Sequence, residues 1–127
     1  MGNVNELRII EIRNYLAKHV PNAHFSMLSF ARRDLIKRKL IIDIYSPACI
    51  ASHVCYYHHY YPRFSIFYSA SVLLGLSKTD AYVLFLMAGY SGTKLPRDIT
   101  PLDASAVLTY YLETGYFTWN IPETTGV

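Results

Sequence analysis

A chain of 127 residues, 52% hydrophobic and with positive mean hydropathy, has enough apolar surface to fold around one core without disulfides or metal, which excludes a disordered polymer. Its apolar runs fall short of the roughly 18–20 residues of a membrane-crossing helix, residues 81–88 being the longest candidate. The formal net charge of +3 is too small to name a partner by itself, so the placement of charge matters more than its sum.

The first seven residues are polar, without the apolar stretch of a secretory signal. A cytoplasmic protein is expected, with Cys49 and Cys55 as reduced thiols. Leu7, Ile9, Ile10, Ile12, Leu16 and Val20 recur at helical spacing and predict a helix over 4–20, ended by Pro21-Asn22. A second helix is expected from the Ser26/Ser29 region towards Tyr45, although the β-branched run at 40–44 also suits a short strand. Ser46-Pro47 breaks the chain. Residues 48–61 have no clear period and read as an irregular connection or a short helix. Pro62 opens a predicted helix to Leu74, closed by Gly75. Ser77 and Asp80 have the spacing of a capping box at the start of a helix over 79–88, with Gly89 and Gly92 past its end. Thr100-Pro101-Leu102-Asp103 repeats that device for a helix ending at Gly115. The expected architecture is mostly α, a compact bundle of four to five helices, with a short strand allowed near residues 40–45 or 116–119. One domain is expected over residues 1–120, followed by a frayed tail at 121–127.

Five of the twelve Lys and Arg residues fall within eight positions: Arg32, Arg33, Lys37, Arg38 and Lys39. On a helix, Arg33 and Lys37 would lie one turn apart and Asp34 could pair with Arg38. Cations at a helix N-terminus oppose the macrodipole, so stability alone does not explain them, and aligned cations suit phosphates. A solvated face is the plainer explanation. Cys49, His53, Cys55, His58 and His59 crowd together, but their spacing lacks the paired ligands of zinc sites, and no metal or cofactor is expected. No nucleophile elbow, phosphate loop, metalloprotease helix or dinucleotide fingerprint occurs, so no catalysis is expected. The chain has twelve tyrosines, and the apolar segments after Pro62 hold more aromatic area than short helices can hide. Phe64, Phe67, Tyr82, Tyr110, Tyr116 and Trp119 are therefore candidates for a partner or homo-oligomer interface.

Three stretches resemble one family. Leu28-Ser29-Phe30-Ala31-Arg32-Arg33-Asp34-Leu35-Ile36-Lys37 with the later Ser46-Pro47 is the first. Ser65-Ile66-Phe67-Tyr68-Ser69-Ala70 with Leu73-Leu74 and Ala81-Tyr82-Val83-Leu84-Phe85-Leu86 is the second. Ala106-Val107-Leu108 with Glu113-Thr114-Gly115-Tyr116-Phe117 is the third. Over about positions 26–119 their order resembles that of the flagellar transcriptional activator subunit FlhC and its relatives. The resemblance implies a helical subunit that binds double-stranded DNA and assembles with an FlhD-like partner. It also implies a four-cysteine zinc module after the last helix, which residues 116–127 do not contain. The expectation is an FlhC-like transcriptional regulator, either a DNA- or partner-binding subunit of a hetero-oligomeric activator or a shortened antagonist of one. The alternative is a small protein-interaction module or inhibitor from a mobile element, without DNA binding or catalysis.

Overall fold

The computed structural model describes residues 4–27, 49–60 and 65–122, and the backbone of 31–36 and 39–47. The protein is mostly helical. Five α-helices are present: α1 (Glu6–His19), α2 (Ile50–Tyr57), α3 (Ile66–Leu74), α4 (Lys78–Leu86) and α5 (Pro101–Thr114). Two antiparallel strands, β1 (Ala31–Ile36) and β2 (Lys39–Pro47), lie between α1 and α2, and single 3-10 turns cover Asn22–His24 and Pro96–Asp98.

The helices start and stop where local chemistry directs. Asn5 caps α1, accepting the Arg8 N–H at 3.2 Å. The α5 start is a complete capping box: the Thr100 hydroxyl accepts the Asp103 N–H at 3.1 Å, and the Asp103 carboxylate accepts the Thr100 N–H at 2.9 Å. Thr100→Ala removes half of it, and a loss of about 1 kcal/mol is expected in chemical denaturation. Gly75 and Gly115 end α3 and α5 in the left-handed conformation, as expected. Two boundaries differ from the sequence expectation. Ser65, not Pro62, caps α3, its hydroxyl accepting the Tyr68 N–H. The α4 helix stops at Leu86 because Met87 itself turns left-handed at φ 56°, burying its side chain in the core, while the Ala88 N–H closes back on the Tyr82 carbonyl.

α1 and α5 pack along each other, α2 packs on α3, and α3 turns sharply into α4. Ile9, Ile12 and Leu16 of α1 meet Ala104, Val107 and Leu108 of α5 in a core completed by Ile50, Val54, Ala70, Leu74, Leu84 and Phe85. Burying each of the larger aliphatic side chains contributes about 1.5–3 kcal/mol. Polar ties fix the helix ends: the Arg8 guanidinium donates to the Leu73 carbonyl at 2.7 Å, the Asn5 N–H to that of Leu74, and the Ser105 hydroxyl to the Arg13 carbonyl. Arg8 and Asn5 thus satisfy carbonyls that the end of α3 leaves without helical partners. The chain after α5 stays attached. Phe117 stacks on Tyr111 at 4.0 Å, Asn120 accepts from Ser91 and donates to the Gly89 carbonyl, and Ile121 packs on the core. Residues 123–127 of the expected tail lie outside the described residues. Among the described residues, no single helix is long and apolar enough to cross a membrane.

The second helix of the sequence reading is not formed. Its residues make the β1–β2 hairpin instead, with Arg33 opposite Ile42, Asp34 opposite Ile41, Leu35 opposite Leu40 and Ile36 opposite Lys39. An irregularity between Ala31 and Arg33 then sets Ala31 opposite Pro47. The β-branched run Ile41-Ile42 with Ile44 decides the outcome, because such side chains lose rotamer freedom in a helix and are at ease in a strand. The strand allowed near residues 40–45 is part of β2; the segment 116–119 forms none.

Candidate nucleic-acid interface and the buried histidine

The basic segment lies on the hairpin. Arg32 and Arg33 belong to β1, and Lys39 opens β2 at the closing Ile36–Lys39 pair. Lys37 and Arg38 lie outside the described residues. The strand backbone removes the premise of helical pairing between Arg33 and Lys37 or Asp34 and Arg38, and no helix N-terminus stands beside Arg32. The hairpin packs on the helical body chiefly through β2 and α2. Two short strands joined at residues 37–38 therefore concentrate five cations against one acidic residue, Asp34, within residues 32–39.

α2 carries the His/Cys cluster, and its first six residues are buried. His53 is 2% exposed. Its Nε2 lies 2.9 Å from the His24 carbonyl, which can only accept, so that nitrogen carries the hydrogen. Its Nδ1 then accepts from the Tyr15 hydroxyl at 3.1 Å in the neutral ring, a tautomer assigned from these partners. Phe25 stacks against the same ring at 5.8 Å. The imidazole thus fastens α1, the turn at Asn22–His24 and α2 together. His58 donates from Nδ1 to the Val54 carbonyl at 2.8 Å and leaves Nε2 buried without a partner among the described residues.

The thiols share this interior. Burial pushes Cys49 up from the ordinary 9.0, more than its Ser52 hydrogen bonds lower it; the hydroxyl of Ser52 is 3.6 Å from its sulfur. Burial also pushes Cys55 up to about 12, with Cys49 adding to the rise, and Tyr15 to about 12, with Tyr56 adding. A nucleophilic cysteine needs the opposite shift, towards the thiolate. Among the described residues no three His, Cys, Asp or Glu side chains come together as a metal site.

These shifts carry a sign for stability. Cys49, Cys55 and Tyr15 each hold a proton more tightly when folded. Their contribution is therefore complete below the unfolded values of 9.0 and 10.0 and is lost as pH rises towards about 12. The thermal midpoint is expected to stay level up to about pH 9 with respect to these groups and to fall steadily beyond it. At neutral pH, iodoacetamide should label neither thiol in the native chain and both in denaturant. Rapid native labelling would show that the thiols are not buried as described.

The aromatic candidates separate. Phe64 lies outside the described residues. Phe67 is half-buried between Tyr82 (5.2 Å) and Phe85 (5.8 Å), and Tyr82 is exposed at the surface end of that stack. Tyr110 is half-buried beside a groove of about 500 Å³ between α5 and the segment 121–122, where Leu102, Ala106 and Glu113 also line the walls. Tyr116 is 71% exposed. Trp119 does not belong with them: it is 8% exposed, and its indole N–H donates to the Leu84 carbonyl at 3.1 Å. Tyr68, Val72 and Leu86 are exposed apolar residues the sequence reading did not single out; in α3 and α4 they occupy positions off the buried stripe, a signal that helical spacing carries.

The chain matches no protein-family model, no curated protein and no solved structure.

Proposed function

We propose that the chain is a transcriptional regulator of the FlhC-like kind, a cytoplasmic protein that binds double-stranded DNA through the basic hairpin and a protein partner through its exposed aromatic surface. The observation that carries this reading is the concentration of Arg32, Arg33 and Lys39 on two paired strands whose chief contact with the body is through one of them. Long cationic side chains at that density are suited to phosphate oxygens and to the release of condensed counterions. No step of catalysis enters the reading, since the buried, proton-holding thiols and the fully engaged His53 serve the fold.

The partner half rests on Tyr68, Val72, Tyr82, Leu86 and Tyr116, large apolar side chains left in water by the single chain. They favour an FlhD-like protein or a second copy, and equally the second reading, a protein-interaction module or inhibitor that never touches DNA. Fluorescence anisotropy of a labelled DNA duplex with the full chain at low salt separates the two. Saturable binding supports the regulator. No binding, together with a stable complex with one cytosolic protein that Tyr116→Ala weakens, supports the interaction module.

A further inference from the structure

The shape of the basic element bears on which nucleic acid it fits. From the register and the sequence we infer that the β1–β2 hairpin enters the major groove of B-form duplex DNA as a two-stranded ribbon; this deepens the DNA-binding reading and rests on it. Paired strands lie about 4.8 Å apart, and six residues of β1 span about 20 Å at about 3.3 Å per residue. A ribbon of that section fits a groove about 12 Å wide, which admits two strands as readily as one helix. The major groove of A-form RNA is too narrow and deep for it. Single strands are bound on aromatic platforms that stack the bases, and residues 31–44 contain no aromatic side chain at all. The charge is also polarised along the hairpin. Arg33 and Lys39 lie at register positions near the closing pair, whereas the acidic Asp43 lies beyond Ile42, away from it. Entry by the closing end puts cations between the two phosphate walls and keeps the carboxylate behind.

The test uses the full chain and four labelled probes of one sequence: duplex DNA, duplex RNA, single-stranded DNA, and duplex DNA whose cytosines carry glucosylated hydroxymethyl groups that fill the major groove. Duplex DNA is expected to bind at least about tenfold tighter than each of the other three, a clear margin on a logarithmic affinity scale. A minor-groove ligand such as distamycin is expected to leave binding unchanged. The Arg33→Ala/Lys39→Ala variant should lose the preference for the unmodified duplex while its thermal midpoint is kept; were it not to fold, the wild-type comparison of probes alone decides. Equal binding to RNA, to single strands or to the glucosylated duplex, or displacement by distamycin, overturns groove entry and leaves the nucleic-acid reading standing. Failure to bind any of the four overturns both.

Discussion

Reversing the charge at two positions, Arg33→Glu with Lys37→Glu, is expected to abolish DNA binding while the helical body folds as before. Each substitution removes a cation and adds an anion facing the same phosphates, so the local charge changes by four units from its value of five cations against Asp34. Replacing attraction by repulsion at two contacts is expected to weaken binding more than about 100-fold, roughly 2.7 kcal/mol or above. The hairpin's main tie to the helices is between β2 and α2, and neither substituted residue belongs to the hydrophobic core described. Far-ultraviolet circular dichroism and the thermal midpoint should therefore match the wild type. A folded double variant that still binds duplex DNA with unchanged affinity would remove the hairpin from the DNA contact.

Trp119→Ala carries the largest expected loss of stability. The indole lies against the core at 8% exposure, and emptying such a site costs about 3–5 kcal/mol. The substitution also takes the hydrogen-bond donor from the Leu84 carbonyl, one of the last four of α4, which has no helical partner of its own. A buried carbonyl left in that state adds about 1–3 kcal/mol. Domains of this size are stable by about 5–15 kcal/mol, so urea denaturation should find the variant barely folded or unfolded. Trp119→Phe keeps most of the ring and should lose chiefly the hydrogen-bond part. Tyr116→Ala, three residues earlier and 71% exposed, should shift stability by no more than about 0.5 kcal/mol. Equal effects of Trp119→Ala and Tyr116→Ala would contradict the burial that separates these two side chains.

That contrast shows what residue patterns convey and what they do not. The α5 helix was legible to within a residue because its signals are local: Thr100, Pro101 and Asp103 at one end, Gly115 at the other. The Ile9/Ile12/Leu16 stripe likewise announced the buried face of α1. The hairpin was not legible as such, because Arg33 with Lys37 and Asp34 with Arg38 have spacings that satisfy a helix equally well. The competing signal, Ile41-Ile42 with Ile44, acts only once β1 is beside β2. The role of Trp119 was hidden for a similar reason, since its partner is a backbone carbonyl 35 residues earlier and no side-chain pattern marks it. The Tyr15–His53–His24 tie joins residues from α1, a 3-10 turn and α2, and only their convergence distinguishes a fastened histidine from a ligand or a base. For the candidate site, the cations themselves were evident from the sequence; the element that carries them was not.

A salt titration of duplex DNA binding by the full chain bears most directly on the proposed function. If the five cations Arg32, Arg33, Lys37, Arg38 and Lys39 each meet a phosphate, the logarithm of the affinity should fall against the logarithm of salt with a slope of about −4.5. Binding that is undetectable at low salt, or that does not change with salt, would contradict a DNA-binding role for this protein.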